Sequence, residues 1–393
     1  MPATKAVYEN ESLNVRPERL DVLDNALERF VKEKHRQFFI VRAHRYGVPI
    51  YEYCCGDYPG ADLVQSSISP VCSCTKVIAA VLIMKLQEDG LVDVNEHVKN
   101  FLPHITGGGK EDICIYHLLT HTSGIIGEDF WGFKHEYCEK IGCPIPKDAS
   151  EAEKKEHHTT LATRLGLDEN ATRDEVDSRI MSFFILKHKP GEVMSYSGVA
   201  YGLLGDIIRA VTGESVDEYA NRVLFKPLGM VDSHFNLPKE KYSRVIVRNE
   251  GTMGYPWLNT ADFYKNESTN SGLLTTVVDL CRFGDMVLGK GTLDDTTILC
   301  PASVREMTTN QNQGIGDVFD DWSLGWNVRG RKRDDAGVLR SEHSVEHGGF
   351  SGHKILVDPD YGITLSMFCG EPAPLETNIS GYVYNILYSS LKD

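Results

Sequence analysis

Strand-like runs lie at the two ends of this chain, and that segregation constrains its fold more than any other feature. Near the start, Gln37–Ala43 (QFFIVRA) and Val48–Cys54 (VPIYEYC) are rich in β-branched and aromatic residues. The glycine of His44–Gly47 between them suits a hairpin turn. Near the end, His353–Val357 (HKILV) and Ile363–Cys369 (ITLSMFC) flank the turn Asp358-Pro359-Asp360-Tyr361-Gly362. Helical spacing dominates between them, in Val199–Thr212 and Asp279–Gly289. Residues 17–34 place Leu20, Leu23, Leu27, Phe30 and Val31 on one helical face, and residues 376–391 read as a last helix. The simplest packing pairs the terminal strands in one antiparallel sheet flanked by helices, beside a mostly helical lobe. The expected class is therefore α/β in the α+β sense. Residues 1–75 and 300–393 are expected to form the sheet lobe, and 76–299 the helical lobe, with a charged insertion at 146–180. A chain of 393 residues, 41% hydrophobic, fits one interleaved protein better than a string of domains.

Charge and composition narrow the partners. Lys and Arg number 41 against 56 Asp and Glu, a net charge of −15. Nucleic acid needs a basic patch, so it is not expected as a partner. The opening MPATKAVYENESLNVRPERL carries no apolar run, and no window approaches the roughly 20 apolar residues of a membrane span. The reading is a cytoplasmic protein without a membrane partner, whose ten cysteines stay reduced. Cys138 and Cys143 flank a turn without nearby histidines, which argues against zinc. The glycines of TGGGKED at 106–112 have the wrong spacing for a phosphate loop. His343-Ser344-Val345-Glu346-His347 matches a zinc-peptidase pattern, but that pattern needs a helix and Gly348-Gly349 oppose one. His117 and His121 precede a helix-ending Thr-Ser-Gly and read as structural. No metal and no organic cofactor are expected.

One short segment carries nucleophile chemistry. Ser73-Cys74-Thr75-Lys76 opens the near-continuously apolar run Ser73–Glu88, closed by Gly90. On a helix, Ser73 and Lys76 share a face, one turn apart. Burial lowers a lysine pKa toward that of a usable base, and a helix start adds positive potential at Ser73. The same spacing recurs at Ser389–Lys392, at the chain end and without that context. A second piece is Tyr196-Ser197-Gly198, on a loop before a buried helix, where a phenol can face a site. A third is His347-Gly348-Gly349-Phe350-Ser351-Gly352, whose glycines let a substrate approach the backbone closely.

In this order the three pieces resemble the serine β-lactamase and penicillin-binding-protein-like family, nearest its class C β-lactamases, D-alanyl-D-alanine carboxypeptidases, D-aminopeptidases, class VIII esterases and acyltransferases. His117–Gly124, Lys189-Pro190-Gly191, Phe225–Met230 and Ser323-Leu324-Gly325-Trp326 extend the likeness over most of the chain. The resemblance implies a β-lactamase/transpeptidase-like fold. It implies Ser73 as the acylated nucleophile, and Lys76 with Tyr196 as the proton-transfer network. It implies the backbone N–H groups of Ser73 and Phe350 as the oxyanion hole. It also implies His347, Gly348, Gly349, Ser197 and Trp326 at the substrate.

Two departures shape the functional expectation. Gly198 stands where the family usually has Asn, and Gly348 where it usually has Thr. Each lost hydrogen bond to a charged group is worth about 1.5–3 kcal/mol. With the unexported start, the departures point away from β-lactam and cell-wall substrates. The expectation is a serine hydrolase that forms an acyl-enzyme from a small ester or amide. Alternatives are an acyltransferase to an alcohol or amine, a β-lactamase or D-amino-acid peptidase, and a non-catalytic binding protein. Cys72 and Cys74 read as packing residues around Ser73. Tyr255, Trp257 and Tyr264 are candidates to line an acyl pocket, with loops at 126–180 and 250–270 setting specificity.

Overall fold

The computed structural model describes residues 3–7, 11–58, 62–147, 149–246, 256–316, 321–330, 336–350, 352–370 and 378–393. Its main sheet has the strands β1 (Thr4–Val7), β2 (Phe38–Arg45), β3 (Val48–Gly56), β4 (Asn327–Val328), β5 (Val345–Gly348), β6 (Lys354–Asp358) and β7 (Ile363–Cys369). Their spatial order is β1-β3-β2-β7-β6-β5-β4, antiparallel throughout. The two ends of the chain meet where β2 lies against β7, Arg45 opposite Ile363 and Phe39 opposite Cys369. Both expected hairpins form.

The described helices of nine residues or more are α1 (Pro17–Lys32), α2 (Thr75–Glu88), α3 (Gly127–Lys140), α4 (Glu151–Arg164), α5 (Arg173–Met181), α6 (Gly198–Thr212), α7 (Val277–Leu288) and α8 (Ile379–Ser389). Side-chain alternation gives each sheet face its own core. Phe39, Val41 and Ala43 of β2 pack with Leu20, Leu23, Leu27 and Phe30 of α1 and with Val383 and Leu387 of α8. Each of these side chains larger than alanine contributes about 1.5–3 kcal/mol through burial. Phe38 and Ile40 face the opposite core, which α7 and α2 share. A Cβ on Gly284 would lie 2.4 Å from Thr364 Cγ2, so α7 sits close on the sheet only because that residue is glycine. The charged insertion resolves into α4 and α5, each opened by a capping box, Ser150 with Glu153 and Thr172 with Glu175.

Helix α2 has no polar face: Thr75 through Met84, and Leu86, are buried. A helix apolar on every side needs neighbours on every side, and α2 has them in α6, the sheet and the chain around 223–230. The free cysteines are all ten, nine of them buried or half-buried. Among the described residues no helix is long and apolar enough to cross a membrane.

Candidate active site

Ser73 lies in a single 3-10 turn, Cys72–Cys74, that runs into α2. Cys72 adopts φ 48°, a left-handed conformation that costs a residue with a Cβ about 1–3 kcal/mol. The surroundings hold it there. Val71 donates its N–H to Leu273 O at 3.0 Å, and Thr75 Oγ1 donates to Cys72 O at 2.6 Å. Cys74 is fully buried, with its Sγ directed at His347 O (3.4 Å) and His353 O (3.6 Å). That thiol thereby ties the Ser73 turn to the β5–β6 hairpin. Burial pushes the Cys74 thiol well above its ordinary range, so it is no thiolate. Ser73 itself is half-buried, and its backbone N–H has no acceptor among the described residues.

Lys76 follows one turn later and is fully buried. Its Nζ donates to Ser73 Oγ (3.3 Å), Asn270 O (3.0 Å) and Asn270 Oδ1 (2.5 Å). It also lies over the rings of Tyr196 (4.8 Å) and Tyr201 (5.4 Å). Burial brings its pKa down from 10.5 to about 7, against the weaker pull of Cys72, Cys74 and Asp174. A lysine titrating there offers a free amine at neutral pH.

Tyr196 reaches the same serine, whose hydroxyl draws the phenol pKa down against the larger effect of burial. The crowded cleft holds that phenol above its usual range, while 44% of the residue stays open to solvent. Two neighbours hold the loop. His121, fully buried and at φ 59°, stacks its ring 4.3 Å from Tyr196, and its Nδ1 accepts the Ser197 N–H at 3.1 Å. Trp322 packs edge-on at 5.7 Å. Accepting at Nδ1 puts the His121 proton on Nε2, and burial keeps the ring neutral.

The third wall is β5. His347 is buried, its Nδ1 2.9 Å from Gly348 O and its ring 6.3 Å from Tyr196. Burial and the nearby Lys76 drive its pKa down to about 3, so it is a neutral imidazole. Gly348 and Gly349 open the turn to β6, and Phe350 is exposed there. Ser351 lies outside the described residues. A Cβ on Gly348 would stand 2.8 Å from Lys354 Nζ, whose ammonium is 3.8 Å from Glu346.

The structure thus gathers Ser73, Lys76, Tyr196 and His347 in one cleft. Two expected substrate contacts do not reach it. Trp326 is fully buried in the core, stacked on Phe283 at 6.2 Å, and Trp322 takes the cleft position. Ser197 is buried as the N-cap of α6, its Oγ accepting from Ala200 N–H. Tyr264 packs edge-on against Tyr242 at 5.0 Å in a buried cluster that also holds Cys72 and Leu274, and Tyr255 and the Trp257 side chain lie outside the described residues. The zinc-peptidase pattern falls on β5 and the turn before it. There His343 pairs with Asp360 at the surface, and Glu346 meets Tyr384 on the sheet face opposite the cleft. Among the described residues no cluster of three metal-ligating side chains occurs. Three residues of the site, His121, Trp322 and Asn270, escaped the sequence reading. Of these only His121 left a trace there, in the segment His117–Gly124.

Known proteins resemble this chain in sequence and in fold. A family model described as Beta-lactamase matches residues 60–382. The Escherichia coli (strain K12) protein provisionally named D-alanyl-D-alanine carboxypeptidase is 26% identical over 209 residues, 48% of this chain and 47% of that protein. The chain therefore spans about half the length of that curated relative. A family VIII carboxylesterase superposes with a TM-score of 0.75 at 16% identity, with both chains wholly covered. EstCE1, a hydrolase with promiscuous acyltransferase activity, superposes at 0.69 and 18% identity, covering 96% of this chain and 99% of its own. At those identities the structural likeness is one of fold.

Proposed function

This chain belongs to the beta-lactamase family, and we propose that within it the chain is a serine hydrolase that takes an acyl group from a small ester or amide. The observation that carries this reading is the buried Lys76 amine, 3.3 Å from Ser73 Oγ with a pKa brought down to about 7. A hydroxyl beside a base that is free at neutral pH is the minimum equipment for acyl transfer.

On this reading the reaction runs in two halves. Lys76 takes the Ser73 proton as Oγ attacks the substrate carbonyl. Charge collects on the carbonyl oxygen, where the N–H groups of Ser73 and Phe350 receive it. The carbonyl re-forms, and the bond to the leaving group breaks. Tyr196, beside Ser73 and with Lys76 Nζ over its ring, passes a proton to that leaving group and recovers one from Lys76. Water then repeats the attack on the acyl-enzyme, and Ser73 leaves with its proton returned. An alcohol or amine in place of water makes the same site an acyltransferase, as the fold of EstCE1 permits. The site is open enough for either, with Tyr196 and Phe350 each nearly half exposed.

Intact-mass measurement after treatment with a fluorophosphonate tests the nucleophile. One adduct is expected on the wild type and on Cys74→Ala, and none on Ser73→Ala. Initial rates on p-nitrophenyl esters should exceed those on nitrocefin. The reverse order, or an adduct that survives Ser73→Ala, overturns the proposal.

A further inference from the structure

Gly198 is a glycine for a reason the sequence does not show. A Cβ built there would lie 2.7 Å from Asn270 Oδ1, 2.8 Å from Nδ2 and 3.0 Å from Cγ. The amide of Asn270 thus fills the space into which a side chain at 198 would project. From that place it faces Lys76, which donates to both its Oδ1 and its backbone oxygen. Lys76 donates in this contact, so the amide meets it through its oxygen.

The segment holding Asn270 is fixed on three sides. Thr269 Oγ1 donates to Tyr201 O at 2.6 Å and accepts from Gly205 N–H at 3.1 Å, which fastens it to α6. Leu273 donates its N–H to Thr75 Oγ1 at 3.1 Å, which fastens it to the start of α2. Gly272 lies so close beneath Asn266 O that a Cβ would stand 1.8 Å away.

A neutral amine has two N–H groups and one lone pair. Asn270 offers two acceptors, and Ser73 is the third neighbour within hydrogen-bond reach. With both hydrogens taken by Asn270, the lone pair is left for Ser73 Oγ–H. A free lysine head rotates among three equivalent positions, and only one of them serves. We infer that Asn270 is the positioning residue of this site: from a loop some seventy residues beyond Gly198, its amide orients the Lys76 amine toward Ser73, and Gly198 leaves it the room. This rests on the serine acyl-enzyme reading above.

The groups facing Lys76 decide how the inference can be read out. Cys72, Ser73 and Cys74 lie on its own turn, Asp174 on α5, Tyr196 and Tyr201 on and before α6, His121 on its loop and His347 on β5. Burial keeps both phenols protonated and both imidazoles neutral across neutral pH. Lys76 is the group whose charge changes there, while burial raises the Asp174 carboxyl above its ordinary value. A carboxylate in place of the Asn270 amide would hold the Lys76 proton more tightly.

The test is the rate of Ser73 labelling by a fluorophosphonate from about pH 5 to about pH 9.5, with folding checked by circular dichroism. Asn270→Asp should move the acid limb up by more than about one pH unit while the alkaline plateau stays within about threefold of wild type. Asn270→Leu should lower the plateau about tenfold or more without raising the limb. The double variant Gly198→Asn/Asn270→Ala should recover much of that loss by returning an amide from the other side. A folded Asn270→Asp whose limb stays within about 0.2 units of wild type overturns the inference, as does Asn270→Leu labelling at the wild-type rate. A wild type that takes no label fails earlier, at the serine nucleophile itself.

Discussion

His121 Nδ1 accepts the backbone N–H of Ser197 at 3.1 Å, so a buried imidazole holds the loop that presents Tyr196. Removing that acceptor leaves a buried N–H unpaired, which costs about 1–3 kcal/mol. The φ of 59° at position 121 adds to the cost for a side chain such as leucine, while asparagine tolerates it. His121→Leu should therefore lower the unfolding temperature and cut kcat/KM on an activated ester more than about tenfold. His121→Asn, with an oxygen in place of Nδ1, should lose less of both. Thermal unfolding and steady-state kinetics on the same preparations check it.

Lys76 should trade stability for activity, and pH should reveal the trade. Its amine titrates at about 7 in the folded chain against 10.5 unperturbed. Between those values the unfolded chain binds the extra proton, so stability rises with pH across that window. Below about 7 the full cost of a buried ammonium is present. Lys76→Met should abolish acyl-enzyme formation and raise the unfolding temperature. The gain should be largest near pH 6 and shrink toward pH 9, about the window that the two pKa values bracket. In the wild type, kcat/KM should fall about tenfold per pH unit below about 7, because only the free amine accepts the serine proton.

Two tryptophans four positions apart should fail in different ways. Trp326 is enclosed in the core, and Trp326→Ala should cost about 3–5 kcal/mol of stability. Trp322 packs against His121, Tyr196 and His347, so Trp322→Ala should act mainly on turnover. Denaturant unfolding beside ester hydrolysis separates the two. Equal loss of stability in both would remove Trp322 from the site.

Thiol reagents should report burial, not catalysis. Cys300 is exposed, whereas Cys72 and Cys74 on either side of Ser73 are buried. Brief iodoacetamide treatment should modify Cys300 first and leave Ser73 labelling intact, as peptide mass mapping would show. Early alkylation of Cys74 with loss of activity is the contrary result.

The parts of the site legible in the sequence were the local ones. Ser73 and Lys76 are one helical turn apart, so their contact follows from spacing alone. Tyr196 and His347 were found through short motifs beside a buried helix and a glycine turn. Asn270 left no such mark, because its meaning lies in its distance from Gly198 and Lys76, which only the folded chain shows. Trp322 and Trp326 share an irregular stretch with no periodicity to say which ring faces inward. Ser197 did carry a signal, a serine directly before a helix, and the structure uses it as a cap. The long strands of the sheet are legible in the sequence. The two-residue β4 is not, nor is β5, whose glycine-bearing end reads as part of a turn. β1, a four-residue edge strand without an apolar run, carries no signal either.

The seating of α2 has a consequence for how the molecule comes into being. This helix is apolar on all sides, and the β5–β6 hairpin that covers its first turn is made some 270 residues later in the chain. During synthesis it therefore emerges long before its last partner. Non-local pairing of this kind slows folding and leaves sticky surface exposed meanwhile. The segment that holds Ser73 is thus also the one most exposed to misassociation in the growing chain, and the cleft around it is among the last features the protein acquires.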